Sequence, residues 1–330
     1  MRLRASGARL LSMLLVLLLG GCAAQPLADR HAPPASLEGK RIAITFDDLP
    51  YANRKAPLAE VRASTARMLR ILRRYQVRAV GFVNEDRLAD TGRLESGIGL
   101  LRTWLNAGME LGNHNYGHVG LQETPLEDYQ RAVLRGETHT RRLLAERGLR
   151  PRYYRHPFTQ TGPTAEIKTR FESFLAEHGY AVAPFTIEHD DYMFSAVYDD
   201  AMARGDAAEA ARVRAAYSRH LDEALDAFET MSRELFQRQI PQVLLIHANR
   251  LNADTLDETL GRLQERGYRF IPLETALRDA AYASPDGHIG RTGPSWLLRW
   301  ARGLRKRTSV GGQPDPEPWI MRRYEEIIAP

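Results

Sequence analysis

From residue 40 to residue 282, short apolar runs alternate with amphipathic stretches. The runs at 42–46, 79–83, 109–113, 152–155, 181–186, 242–246 and 268–271 have the length and residue types of strands. Between the first two, Leu58, Val61, Thr65, Met68, Leu69, Leu72 and Tyr75 recur at spacings of three and four, which places them on one face of a helix. Similar patterns predict helices over 96–107, 125–147, 163–178, 254–266 and 273–282. Strands alternating with helices imply parallel strands covered by helices. Seven such strands suggest a barrel one strand short of the eight-stranded form, with an open doubly wound sheet as the alternative. The stretch 195–238 is longer than a crossover needs. It carries Tyr198, Val213, Tyr217, Leu221, Leu225 and Phe228 at helical spacings, so it reads as a helical insertion before the sixth strand. It is either a surface excursion or a wall that shapes a substrate site.

The two ends have a different character. Arg2, Arg4 and Arg9 precede the apolar stretch 10–19, the n-region and h-region of an export signal too short to span a membrane. Leu19-Gly20-Gly21-Cys22 follows and resembles a bacterial lipobox, with Cys22 as the lipidated residue. Residues 1–21 are therefore expected to be a lipoprotein signal peptide and 22–39, with Pro26, Pro33 and Pro34, a tether. Ala23 rather than an aspartate follows Cys22. By resemblance to sorted lipoproteins, this implies an exported protein held by its lipid at the periplasmic face of the outer membrane. Cys22 is the only cysteine, which excludes an intramolecular disulfide. The net charge of +5 includes the three arginines of the leader, so it does not point to a nucleic-acid partner. No protein partner is evident. The tail, 283–330, holds Arg291, Arg299, Arg302, Arg305, Lys306 and Arg307 without an acid between 291 and 310. Trp296, Trp300 and Leu304 share one side of a helix there. The helix could lie on a membrane surface, but packing on the barrel with solvated arginines is the expected arrangement. Pro314, Pro316 and Pro318 mark an extended stretch before the last segment.

The chemistry gathers at strand ends. Asp47 and Asp48 follow the first apolar run, and His114 and His118 follow the third. Arg155 closes the fourth, Asp191 comes after the fifth, and His247 follows the sixth. In parallel α/β folds the site lies at the carboxyl ends of the strands. Any one of these residues alone would read as a helix cap or a surface coincidence; their shared position makes them a site. Two imidazoles and one carboxylate suit zinc and leave the other carboxylate free for proton transfer. No Gly-x-Ser-x-Gly elbow is present, which argues against a serine hydrolase.

The ordered segments Thr45-Phe46-Asp47-Asp48, His114-Asn115-Tyr116-Gly117-His118, Arg155-His156-Pro157-Phe158, Asp191-Tyr192 and Leu245-Ile246-His247 resemble the motifs of the polysaccharide deacetylases with the NodB homology domain, carbohydrate esterase family 4. The resemblance spans about residues 40–280. It implies a distorted seven-stranded (β/α) barrel and a hydrolase that removes N-acetyl groups from a cell-envelope or exported polysaccharide. It further implies that Asp48, His114 and His118 bind a divalent metal, most simply Zn2+. Asp47 would be the base and be held by Arg155. His247 would be the acid and be oriented by Asp191, for which Asp190 competes. The Phe158 N–H would face the oxyanion, and Leu245 and Tyr192 would line the acetyl and sugar pocket. His156 and His189 are expected in structural or substrate-contact roles. The chain departs from the family at Asn115, where Ser or Thr is usual, at Leu49, where Gly precedes the proline, and at Tyr192, where Trp is common. Other readings are hydrolysis of a small non-peptide amide in a closed pocket and an inactive glycan-binding lipoprotein. The intact acids and histidines argue against the last.

Overall fold

The computed structural model describes residues 39–90, 92–291 and 293–329. The signal peptide, Cys22 and the tether up to residue 38 lie outside the described residues. Seven parallel strands form one curled sheet: β1 (Lys40–Leu49), β2 (Val80–Val83), β3 (Glu110–Asn113), β4 (Tyr153–Tyr154), β5 (Ala181–Val182), β6 (Gln242–His247) and β7 (Tyr268–Phe270). The order is β5-β4-β3-β2-β1-β6, and β7 pairs with the first residues of β1. The chain after β5 then crosses to β6. Ile187 bridges Leu244, Thr186 N–H donates to Val243 O at 2.9 Å, and Leu245 N–H donates to Ile187 O at 2.9 Å. This contact brings the two edges of the sheet together into a distorted barrel, where the open doubly wound alternative would leave them apart. β4 and β5 are shorter than their apolar runs because pairing around them is irregular. Arg155 still donates its N–H to Asn113 O beyond the end of β4.

The covering helices are α1 (Leu58–Arg74), α2 (Leu94–Asn106), α3 (Leu126–Arg135), α4 (Thr138–Ala145), α5 (Ala165–Glu177), α6 (Asp191–Ala203), α7 (Ala207–Phe236), α8 (Arg250–Glu265), α9 (Leu273–Leu277), α10 (Trp296–Gly303) and α11 (Pro318–Ile328). The single helix expected over 125–147 is two. Gly136 ends α3, and a Cβ there would lie 2.9 Å from the Tyr116 backbone nitrogen, so a close approach of two chain segments fixes the break. The helix expected over 273–282 stops at Leu277. Asp279, bound by Arg238, then caps a short turn through its contact with the Ala281 N–H.

The stretch 195–238 is not a surface excursion. Leu221, Leu225, Phe228, Met231 and Leu235 of α7 belong to the barrel core. Its first half, with Val213 and Tyr217, makes a second core with Phe194 and Val197 of α6, Leu251 of α8 and Ile320 of α11.

The tail helix packs as expected, but not with solvated arginines throughout. Trp296, Leu297 and Trp300 of α10 are buried in the main core. Trp300 meets Tyr282 and Phe236 edge-on. Arg299 is 0% exposed; it donates to Pro294 O, Thr159 O and Thr161 Oγ1, and its guanidinium lies 4.0 Å from the Trp296 ring centroid. Tryptophans used in this way are not available to a membrane surface. Pro318 does not extend the chain but opens α11 at its first position, where the missing N–H costs nothing. No described helix is long and apolar enough to cross a membrane.

Candidate active site and metal centre

β1 runs to Leu49, so Asp47 and Asp48 lie within the strand rather than after it. The strand continues because Asp47 still pairs with His247 on β6 and Leu49 with Val83 on β2. Successive residues of a regular strand point to opposite faces. Here the register shifts between Phe46 and Leu49, and Asp48 takes a left-handed φ of 64°. Both carboxylates consequently reach the same imidazole. His114 Nε2 is 3.9 Å from Asp47 Oδ2 and 3.8 Å from Asp48 Oδ1. His118 Nε2 is 3.6 Å from the same Asp48 oxygen.

Asp48, His114 and His118 offer ligand atoms that all lie within 4.8 Å of one another. Asp48 Oδ1 is buried and has no hydrogen-bond partner, as a metal-facing oxygen would be. Its other oxygen takes an ion pair from Arg87 at 3.2 Å. His114 Nδ1 lies 2.8 Å from Arg155 O, which fixes Nδ1 as the donor and leaves the Nε2 lone pair directed at the carboxylates. Burial lowers both imidazoles to a pKa of about 4, so they are neutral ligands. Burial alone would raise the Asp48 carboxyl. The facing His118, Arg87 and His114 outweigh it and hold Asp48 below its usual value. One charged oxygen and two neutral nitrogens fit a divalent ion of the zinc type.

Asp47 stands beside this group. Burial raises its pKa, opposed by Arg155 and His247. Arg155 is fully buried with Nη1 3.4 Å from Asp47 Oδ1, and its Nη2 donates to Thr45 Oγ1 at 3.1 Å. The Phe82 ring backs the guanidinium at 4.5 Å.

His247 closes the site from β6. Its Nδ1 is 2.7 Å from Asp191 Oδ1 and its backbone N–H donates to Asp191 Oδ2 at 2.8 Å. Asn252 and Asn249 donate to that second oxygen at 2.6 and 3.2 Å. Burial would raise Asp191, but His247, through its charge and its two hydrogen bonds, and His189 outweigh it and bring it down to about 2. Burial would likewise lower His247; Asp191 first, then Asp48 and Asp47, overcome this and push it up to about 10. The imidazole is thus protonated at neutral pH. Asp191, not Asp190, makes this contact. Asp190 precedes α6 in a left-handed conformation, φ 53°, and turns toward Gln313 and His220.

Phe158 sits at φ 51° with its ring edge-on to His118 at 4.5 Å and is 57% exposed. Tyr192 is 42% exposed at the start of α6. Leu245 is 4% exposed, so it can form a wall for a methyl group but not a platform for a sugar ring. His156 is buried among Tyr129, Tyr154 and Phe171, and His189 stacks on Tyr217, both away from the three-ligand group. Arg87, Asn249, Asn252 and Gln313 are additions that the sequence reading did not contain. Asn249 follows His247 by two residues and caps α8, a signal readable as an N-cap. Arg87 lies in a short turn that follows no motif and carried no signal.

Residues 35–183 match the family described as polysaccharide deacetylase. The matched segment includes Asp47, Asp48, His114, His118, Arg155 and Phe158 and ends before Asp191 and His247. Among curated proteins, none matches this sequence. Solved structures similar to the chain include the peptidoglycan deacetylase PdaC from Bacillus subtilis, 22% identical over 72% of this chain and 92% of that one, TM-score 0.46. A family 4 carbohydrate esterase from Streptomyces lividans, in complex with acetate, is 19% identical over 72% of this chain and 96% of that one, TM-score 0.44. A CE4 family pseudoenzyme from Bacillus anthracis is 15% identical over 73% of this chain and 66% of that one, TM-score 0.47.

Proposed function

We propose that this chain, which carries a polysaccharide deacetylase domain matched over residues 35–183, is a metal-dependent hydrolase that removes N-acetyl groups from a glycan of the cell envelope or an exported polysaccharide. The observation that carries the reading is the arrangement of a carboxylate outside the ligand set, a three-ligand group and a carboxylate-paired imidazole within one strand-end cluster. A divalent ion held by Asp48, His114 and His118, for which zinc suits the donor set, would supply Lewis acidity at the acetamide carbonyl. Asp47 takes the proton of the attacking water; its raised pKa suits a base better than an ordinary carboxylate. Arg155 fixes that carboxylate by charge and by its own anchor on Thr45. His247 gives its proton to the leaving amine, and Asp191 keeps the imidazole oriented and charged. The Phe158 N–H supports the developing oxyanion. A buried Leu245 bounds the space for the acetyl methyl, and the exposed Tyr192 offers a ring face to the sugar. The protein is exported and lipid-anchored through Cys22.

The test is acetate release by zinc-loaded protein from chitooligosaccharides, β-1,6-linked N-acetylglucosamine oligomers, peptidoglycan fragments and O-acetylated xylan. Release from an N-acetylated glycan is expected. Asp47→Asn should keep its zinc and lose at least about 100-fold in kcat. Full turnover in that variant would remove Asp47 as the base.

A further inference from the structure

Next to the His247–Asp191 pair lies a polar group that takes no part in this chemistry. Glu188 and Asp190 flank His189 in the short connection from Ile187, which is paired to β6, into α6. Both residues are partly buried, and the Asp190 side chain is 13% exposed. Gln313, between α10 and α11, donates its side-chain amide to Glu188 Oε1 and reaches Asp190 Oδ2 at 3.3 Å. His220 of α7 aims Nε2 at the same Asp190 oxygen from 3.7 Å; that nitrogen is buried and has no hydrogen-bond partner. Tyr192, in the first turn of α6, has its ring edge-on to Tyr324 of α11 at 5.6 Å.

We infer that this group is a subsite for a protonated amine of the substrate, so that the preferred glycan carries free amino sugars beside the acetamido sugar that is hydrolysed. The inference rests on the deacetylase reading above. An alkylammonium offers three N–H donors and no acceptor. Glu188 and Asp190 are acceptors, and among the described residues no Lys or Arg pairs with either one. The Gln313 amide between them satisfies lone pairs but cancels no charge. Burial first, and Asp190 next, push the Glu188 carboxyl up to about 7. A cation that displaces the Gln313 amide from between them relieves that like-charge pair, and the His220 nitrogen behind it gains a polar neighbour. A metal fits less well. Calcium takes about six to eight oxygens, more than two carboxylates and one amide supply. Asp48, His114 and His118 are the three-donor group found among the described residues. The exposed tyrosine suits the face of a sugar ring. The substrate would then come from an earlier partial deacetylation of the same polymer, by this protein or by another of the same reaction class.

Two readouts test this on the zinc-loaded full chain. The first is kcat/KM for acetate release from a fully N-acetylated glucosamine tetramer and from one with a single acetyl group and three free amines. The second is the Kd of the fully deacetylated tetramer by calorimetry. The wild type should favour the amine-bearing tetramer by about tenfold. Glu188→Gln should bring the ratio near one and weaken the Kd to a similar extent. Gln313→Lys should do the same by filling the gap with a cation, and it keeps the proposal testable if Glu188→Gln does not fold. Equal kcat/KM values in the wild type, or a preference unchanged in both folded variants, would overturn the subsite. If no tetramer is hydrolysed while the amine tetramer still binds and loses affinity in the variants, the deacetylase reading falls and the subsite stands. If neither hydrolysis nor binding occurs, both fall.

Discussion

The two oxygens of Asp48 do different things. One is buried without a partner beside His114 and His118; the other is tied to Arg87. That tie orients the carboxylate, so Arg87 would act on the affinity for an ion held by Asp48 without touching it. Arg87→Met is expected to weaken zinc binding about 10- to 100-fold, as losses of such outer partners do, measured by chelator competition. An unchanged affinity would leave Arg87 a structural residue. His247 gives a second residue-scale prediction. Its pKa stands at about 10 because Asp191 overcomes burial. Activity that needs a proton on His247 is lost as pH rises through that value. In Asp191→Asn the pKa falls, so the alkaline limb of the kcat–pH profile should move to lower pH; a limb that stays in place would take the acid role from His247. The same sign governs stability. The raised His247 contributes stability that is complete below its unfolded value near 6.5 and is lost as pH rises through about 10. The motif residues were legible in the sequence because each ends or follows an apolar run, and strand ends converge in this fold class. Arg87 and Gln313 were not, because their partners are 39 and 125 positions away along the chain and no periodicity marks them.

Among the elements, the seven apolar runs became seven strands in the expected places because short runs between amphipathic helices leave little choice of period. Boundaries were less legible. Asp47 and Asp48 look like loop residues by composition, yet strand pairing to His247 and Val83 holds them in β1. The 125–147 helix pattern continues across Gly136, and only the approach of Tyr116 breaks it. The tail shows the limit of charge patterns. Arg299 reads as a solvated arginine, but carbonyl oxygens and an indole surround it. α10 is accordingly part of the core. Trp300→Ala, at a side chain 1% exposed, should destabilise the protein by about 3–5 kcal/mol, read from urea denaturation. A cost under about 1 kcal/mol would mean that α10 is dispensable packing.

For the whole molecule, the barrel joins its edges through the Ile187–Leu244 bridge, and this joint lies next to the His247–Asp191 pair. The connection that makes it also carries Glu188, Asp190 and Asp191, so the contact that closes the barrel also sets Asp191 beside His247. Location follows from another part of the chain. If Cys22 carries the lipid, Cys22→Ser should release the protein into the soluble fraction, followed by fractionation and immunoblotting. A variant that stays with the membrane would mean the anchor is elsewhere.

The packing of α11 on α6 has a consequence in time. A chain is made from its N-terminal side onward. Asp47, Asp48, His114, His118 and Arg155 are all available once the first half has emerged. His247 needs Asp191, which begins α6, and α6 finishes its core only when Ile320 arrives from α11. The Asp48, His114 and His118 group therefore lies wholly in the part of the chain made first, whereas the His247–Asp191 pair does not. On the proposed function, a chain at that stage would offer the ion-binding group before its proton donor is in place, and the docking of α11 on α6 would end the stage.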